Sequence, residues 1–217
     1  MGCVGPEPIT EETVYEDTSP AWSPDGSTII YSHFNYKPNE GSYPTGVYSI
    51  DTLGNNKTLV YNGFGYGSDW SPNGAHLVFE AQGNIFTLNL TNDLVTQLTF
   101  GRGNHFPSWS PDGRHIIYDM AFNDSSGIWK MDSNGENKEK LGPGLDADWA
   151  PTGSSLVFIS GVEISPGYSR AEVFILQLEP YKIVQLTDNG KTGNSNKSPV
   201  WSPDGNTIAW VHEGDIW

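Results

Sequence analysis

The stretch Trp109-Ser-Pro-Asp-Gly113 decides the fold, because the chain repeats it almost unchanged. Proline is preset for the first corner of a turn, Asp or Asn suits the second corner, and Gly adopts the left-handed conformation that closes a tight hairpin. The copies recur at intervals of about 45 residues, a period that indicates a repeat architecture. They are Trp22-Ser-Pro-Asp-Gly26, Trp70-Ser-Pro-Asn-Gly74, Trp109-Ser-Pro-Asp-Gly113, Trp149-Ala-Pro-Thr-Gly153 and Trp201-Ser-Pro-Asp-Gly205.

Each turn is followed by segments that are rich in β-branched and aromatic residues. In the second unit these are residues 76–80, 85–90 and 94–99, so that the unit holds four strands when the strand ending at Trp70 is included. Four strands per repeat predict a β-propeller blade. We therefore predict an all-β propeller of four-stranded blades that start near residues 20, 68, 107, 147 and 199. The five repeat Trp residues should lie on the innermost strands and pack between successive blades.

Composition agrees with this fold and excludes several functions. Gly 25 and Pro 15 with 12% aromatic residues are typical of short strands joined by tight turns. Lys+Arg 11 against Asp+Glu 26 gives a net charge of −15, which repels phosphate backbones and anionic lipids, so we predict no nucleic-acid partner. The single cysteine excludes an internal disulfide.

The repeated Trp-Ser-Pro-Asp-Gly segments resemble the WD40-like repeat of TolB-like propellers, and the resemblance spans residues 14–217. It implies an all-β propeller of at least five blades. In this family the module is reused in periplasmic partner-binding proteins, in the propellers of prolyl-oligopeptidase-like peptidases and in some pectin-fragment lyases. A fold of this kind hosts unrelated activities, so the resemblance is specific for fold and weak for function.

The two ends of the repeat region leave the number of blades open. Residues 9–15 occupy the place that a fourth strand holds before later repeats, which predicts a strand that closes the ring. The fifth unit stops at Trp217, inside its third strand. Either residues 9–15 complete a five-bladed ring, with the propeller domain spanning residues 9–217, or the sequence is a fragment of a longer, six-bladed protein.

Residues 1–8 are not strand-like and are expected to form a flexible tether. Gly2-Cys3 followed by a Pro- and acid-rich stretch resembles the processed end of a lipoprotein, in which Cys3 carries the lipid. The alternative is an ordinary reduced thiol on a loose terminus. The lipoprotein hypothesis implies a periplasmic or extracellular location with contact to the membrane through Cys3 alone.

No motif predicts a catalytic residue. The nearest match to a hydrolase elbow, Gly167-Tyr-Ser169-Arg-Ala171, lacks the second glycine and precedes a β-rich segment. Related lyases hold a divalent ion with histidines near the axis, but only His105 lies in a connection that could approach it. We therefore predict no cofactor and no metal ligands, with a central cation as the one exception.

Three acidic residues precede a repeat Trp on the predicted innermost strands: Asp69, Asp146 and Asp148. They predict an acidic channel mouth that attracts a cation, with solvated surface carboxylates as the alternative.

The partner-binding face follows from strand order. In a four-stranded meander the Pro-Asp-Gly turns emerge on one face, while second-to-third loops and blade-to-blade connections emerge on the other. The second face carries the irregular segments 35–45, 62–68, 101–106 and 162–170. Aromatic, His and Arg side chains anchor interfaces and lie frequently on loops of rigid scaffolds. The candidate residues are Tyr36, Tyr43, Phe64, Tyr66, Arg102, His105, Phe106, Tyr168 and Arg170.

The sequence thus predicts a non-catalytic propeller that binds a protein or peptide in the cell envelope. The alternative is the propeller portion of a prolyl-oligopeptidase-like peptidase or of a glycan-fragment lyase.

Overall fold

A computed structural model describes residues 14–37, 41–63, 65–165, 168–188 and 195–217. These residues form five antiparallel sheets, each with its strands in chain order. The first blade consists of β1 (Val14–Trp22), β2 (Thr28–Lys37), β3 (Gly41–Asp51) and β4 (Thr58–Tyr61). The second consists of β5 (Tyr66–Trp70), β6 (His76–Ala81), β7 (Asn84–Asn89) and β8 (Leu94–Gln97).

The remaining three blades continue this pattern. The third is formed by β9 (Asn104–Trp109), β10 (His115–Met120), β11 (Gly127–Asp132) and β12 (Glu139–Gly142), with one 3-10 turn at Asn123–Ser125. The fourth is formed by β13 (Leu145–Trp149), β14 (Ser155–Ser165), β15 (Tyr168–Gln177) and β16 (Lys182–Gln185). The fifth has three described strands, β17 (Asn196–Trp201), β18 (Ile208–His212) and β19 (Asp215–Ile216).

The sheets are arranged as a propeller. The first strands of successive blades are neighbours, since β1 contacts β5, β5 contacts β9, β9 contacts β13 and β13 contacts β17. The predicted all-β propeller is therefore confirmed. No helix in the described part of the chain has the length and apolar character needed to span a membrane.

The repeated turns behave as predicted. The closing glycine of each copy has a φ of 69° or 70°, in the left-handed region. In the third blade Ser110 Oγ donates to Asp112 Oδ1 at 2.6 Å, and the backbone N–H of His115 donates to Ser110 Oγ at 2.9 Å. The repeated spacing of Ser, Asp and Gly, which the first, third and fifth copies share, therefore has a structural role.

The core lies between blades. One cluster joins Ile30 and Val47 of the first blade to residues of the second, and another joins Val78 and Ile85 of the second blade to residues of the third. A third joins Ile117 and other residues of the third blade to the fourth. Burial against the neighbouring sheet, at about 25 cal/mol per Å² of apolar surface, is what holds the blades together.

All five repeat Trp residues end an innermost strand, as expected, but one of them does not pack between blades. Trp109 is 8% exposed and packs against Val78 and Ile85 of the preceding blade. Trp22 is 60% exposed. The reason is positional: Trp70, Trp109 and Trp149 each pack on the blade before them, whereas the described residues include no blade before that of Trp22.

Two further expectations need correction. Val14 and Tyr15 pair with Tyr36 and Asn35 inside the first blade, so these two residues belong to β1 rather than to a closing strand; residues 9–13 lie outside the described residues. The segments 35–45 and 162–170 were expected as irregular loops. Instead, pairing of β2 with β3 and of β14 with β15 continues through most of both segments, because ladder bonds satisfy the backbone of a long connection.

Candidate functional site

Every innermost strand carries a bulge three residues before its Trp. The residues at this position all have a positive φ, and the pairing register shifts there in each blade. A bulge bends its strand and redirects the neighbouring side chains, and bulges are frequent next to binding sites. The five positions are Ser19 (52°), Gly67 (56°), Phe106 (49°), Asp146 (58°) and Ser198 (47°).

An exposed row of aromatic rings lies at this end of the first three blades. Tyr66 packs edge-on against Phe34 at 6.0 Å between ring centroids and against Phe106 at 6.3 Å. Tyr66 is 39% exposed and Phe106 is 48% exposed. We call Phe34, Tyr66, His105 and Phe106 the aromatic row. It brings together three of the residues predicted from sequence.

His105 belongs to the row, and Arg102 precedes it by three residues in the chain. His105 Nδ1 lies 3.0 Å from Glu80 Oε2, and its ring is 6.2 Å from that of Phe106. Arg102 is exposed in the connection before β9. The sequence does not distinguish Phe34 as a site residue, because it ends a β-rich segment that is typical of a strand. The only signal for it was that its strand points to the same face as the irregular segments.

The other predicted aromatic residues lie elsewhere. Tyr36 and Tyr43 belong to the extended β2–β3 hairpin, where Tyr36 pairs with Ser42 and Tyr43 pairs with Asn35. Tyr168 begins β15 and pairs with Ser165. Phe64 lies outside the described residues.

Arg170 does not fit the exposed surface predicted for it. It is 4% exposed, and its Nε donates to Glu172 Oε1 at 2.7 Å. Glu172 is itself buried and accepts from Thr187 Oγ1 at 2.6 Å and from Asn196 Nδ2 at 3.0 Å. A buried charge needs such partners, so Arg170 serves to compensate the buried carboxylate of Glu172 inside the fourth blade. The signal in the sequence was the Arg-x-Glu spacing, which places both side chains on one side of a strand.

The three acidic residues of the predicted channel mouth link neighbouring blades. Asp69 Oδ2 accepts from the backbone N–H of Trp109 at 2.8 Å, and Asp148 Oδ2 accepts from that of Trp201 at 2.8 Å. Asp146 Oδ2 accepts from the N–H of Ser198 at 2.7 Å. In each case the carboxylate belongs to one blade and the donor to a later blade.

Burial around these carboxylates disfavours their charged forms. It raises the pKa of Asp69, and it raises the pKa of Asp148 to about 6, with smaller contributions from the charges of Asp69 and Asp146. A fourth carboxylate, Asp119, was missed from sequence because it lies within a continuous β-rich segment. It is 2% exposed, it accepts from the N–H of Asp146 at 2.6 Å, and burial raises its pKa to about 7.

These carboxylates do not converge on one point. Within the described ranges, no three His, Cys, Asp or Glu side chains are grouped so that they could hold a metal ion. The acidic residues therefore have a demonstrated role between blades, and attraction of a cation to the channel stays a prediction.

Solved structures share this fold. TolB from Acinetobacter baumannii aligns with a TM-score of 0.69 at 20% identity, covering 89% of this chain and 48% of that protein. A putative TolB from Agrobacterium tumefaciens aligns with a TM-score of 0.61 at 20% identity, covering 92% and 91%. An oligogalacturonate lyase in complex with manganese aligns with a TM-score of 0.51 at 14% identity, covering 90% and 69%. At these identities the likeness concerns the fold alone.

Sequence relatives identify the family. The chain is 28% identical to an uncharacterized protein of Agrobacterium fabrum, over 87% of this chain and 67% of that protein. It is 24% identical to the Tol-Pal system protein TolB of Francisella tularensis, over 94% of this chain and 47% of the relative, so it spans about half the length of that TolB. The family model described as the TolB beta propeller domain matches residues 6–148. The chain therefore belongs to the TolB β-propeller domain family.

Proposed function

We propose that this chain is a non-catalytic propeller that binds a protein or peptide partner in the cell envelope through the aromatic row. The observation that carries the proposal is the pair of exposed rings, Tyr66 and Phe106, on two adjacent innermost strands. Aromatic side chains contribute large contact area at low entropic cost, and they are frequent among the residues that dominate interface energies.

The scaffold supports this role. Tyr66 directly precedes the bulge at Gly67, and Phe106 is itself the bulge residue of β9. A bulky residue in the left-handed region is unusual, and such strain is concentrated at functional sites. The rings are thus presented by strands rather than by long loops, so little ordering entropy is lost on binding.

Two further considerations favour an envelope protein or peptide as the partner. Relatives that cover almost all of this chain are named as Tol-Pal system proteins. The net charge of −15 disfavours nucleic acid and steers basic partners toward the molecule. Periplasmic location and a lipid on Cys3 are part of the same proposal.

Site-specific photo-crosslinking tests the proposal. A benzophenone amino acid at position 106 should crosslink to one envelope protein, whereas the same group at position 53, in the β3–β4 turn on the other face, should not. The crosslinked peptide, identified by mass spectrometry, then serves as the ligand for affinity measurements.

Tyr66→Ala combined with Phe106→Ala should weaken binding of that peptide at least about tenfold, while the melting temperature changes little, because both rings are exposed. Leu53→Ala, which removes an equally accessible apolar side chain elsewhere, should bind like the wild type. An unchanged affinity in the double variant, or a loss in the Leu53 variant, would contradict the proposal.

A further inference from the structure

A groove on the face of the Pro-Asp-Gly turns lies between the second and third blades. Its volume is about 460 Å³, within the range of small-molecule sites. It opens beside the turns at Pro72 and Asn89 and reaches inward to Trp109. This face is opposite to the aromatic row, so the groove is independent of the proposed partner site.

The groove is lined by uncharged side chains, whereas the molecule as a whole is strongly acidic. In a chain with a net charge of −15, every side chain around the groove is apolar, a hydroxyl, an amide or the imidazole of His76. Leu94, which is 59% exposed, supplies an apolar wall, and the buried residues Leu98 and Trp109 lie at the inner end of the groove, where the rings of His76 and Trp109 are 6.5 Å apart. A neutral polar lining disfavours ionic ligands, which would lose hydration without gaining a countercharge.

Comparison between blades shows that this neutrality is not imposed by the fold. Thr87 faces Thr96 across β7 and β8, and both line the groove. The equivalent pair of the third blade is Lys130 and Glu139, which form an ion pair at 2.7 Å. Lys130 lines two clefts between the third and fourth blades, of about 180 and 480 Å³, and the larger one is also lined by Glu139, so the groove of the second blade differs from its counterpart in charge rather than in volume.

Hydrogen-bonding groups in the groove are available to a ligand. Asn73 Oδ1 accepts from Ser71 Oγ at 2.8 Å and from the N–H of Ala75 at 3.0 Å, which leaves its amide nitrogen as a donor toward the groove. The hydroxyls of Thr87 and Thr96 have no protein partner within the part of the chain that the structure describes. Hydroxyls and amides beside an apolar wall match a ligand that alternates hydroxyl groups with C–H surface.

We propose that this groove binds a neutral carbohydrate of one or two sugar units. The Thr87–Thr96 pair and the amide of Asn73 bond sugar hydroxyls, and the C–H face of the ring packs against Leu94, with its edge toward Trp109. Charged sugars are excluded because the groove contains no charged side chain to pair with them.

Nuclear magnetic resonance of the ¹⁵N-labelled 217-residue chain tests this binding. The indole N–H signal of Trp109, assigned by its loss in Trp109→Phe, is followed during titration with methyl β-glucoside, N-acetylglucosamine, cellobiose, glucuronate and glucosamine. At least one neutral sugar should give saturable shifts at Trp109 and Thr87 with a Kd of about 1 mM or tighter. Glucuronate and glucosamine should give none.

Matched variants separate a specific site from weak surface contact. Thr87→Val with Thr96→Val should weaken binding of the responsive sugar about tenfold, because two hydrogen bonds are lost. The fold accommodates this change, since the fourth blade has Ile175 facing Val184 at the same register. Ser49→Val with Thr58→Val, at the equivalent pair of the first blade, should leave binding unchanged.

Three results would overturn the proposal. They are the lack of a saturable shift with all three neutral sugars, an equal response to the charged sugars, and undiminished binding by the Thr87→Val, Thr96→Val variant.

Discussion

At the residue scale, tryptophans in equivalent repeat positions should contribute very differently to the free energy of unfolding. Trp109→Ala should lower the free energy of unfolding by about 3 to 5 kcal/mol, because the ring is 8% exposed and its removal leaves a cavity between two blades. Trp22→Ala should change it by less than about 1 kcal/mol, because that ring is 60% exposed. Urea unfolding of both variants measures the difference. Equal losses would mean that Trp22 is covered in solution.

Asp119 should make stability depend on pH. Its folded pKa of about 7 lies above the ordinary value of 3.8, so the folded state favours the protonated carboxyl. The stabilisation from this group is fully present below pH 3.8 and is lost as the pH rises through about 7.

Asp119→Asn should therefore stabilise the protein by about 2 to 4 kcal/mol at pH 8 and have little effect at pH 4, because asparagine keeps an acceptor for the N–H of Asp146 without a buried charge. The check is the difference in unfolding free energy between variant and wild type across this range. That difference cancels the parallel contribution of Asp148, whose pKa is also raised. A difference that stays constant with pH would contradict the assignment.

At the scale of elements, the fourth blade has the weakest version of the repeated turn. Ala150 and Thr152 stand where the third blade has Ser110 and Asp112, and the side chain of Thr152 makes a 3.4 Å bond with the N–H of Ser154 and a 2.7 Å bond with Ser154 Oγ. The third blade has a 3.0 Å bond from the N–H of Arg114 to Asp112 Oδ1, together with the serine bonds.

Ala150→Ser combined with Thr152→Asp should raise the free energy of unfolding by about 1 kcal/mol, as consensus substitutions commonly do. Thermal unfolding of the double variant measures this gain. Ala150→Ser alone serves as the control and should gain less, because its buried hydroxyl lacks the carboxylate that accepts its proton. A single variant as stable as the double variant would show that the carboxylate contributes nothing.

The elements also show which features the sequence could predict. The Trp positions, the turns and most strand boundaries follow from a motif whose residues have individual conformational requirements. The bulges could not be predicted in this way, because Ser19, Phe106, Asp146 and Ser198 adopt a positive φ although none of them is glycine. Only the bulge at Gly67 has the glycine that indicates a positive φ. Tyr66 and Phe106 were predictable as exposed aromatic residues beside irregular segments. The burial of Arg170 was not, because its partner Glu172 is also bonded by Asn196, a residue distant in sequence.

At the scale of the whole molecule, one side of the first blade lines an open groove, whereas the equivalent side of the second blade is covered by the blade before it. Ile29, Tyr31 and Ile50 correspond by register to Leu77, Phe79 and Leu88 of the second blade, and those three are buried against the first blade. On the first blade the corresponding side chains surround an open groove of about 330 Å³, next to the exposed Trp22. Wherever two blades pack together in this propeller, a surface of this kind on the later blade is covered by the blade before it.

The 217-residue chain should consequently self-associate head to tail at concentrations of about 100 µM, with this surface of one molecule packed against the last blade of another. Since each molecule carries a net charge of −15, association should strengthen as salt screens the repulsion. Sedimentation velocity at low and high salt measures this, and Trp22→Glu should abolish it. Leu53→Glu, at another exposed position of the same blade, adds the same charge and should leave most of it intact. A chain that stays monomeric at high salt, and that loses several kcal/mol on Trp22→Ala, would instead place the last blade of the same molecule over Trp22 in a closed ring.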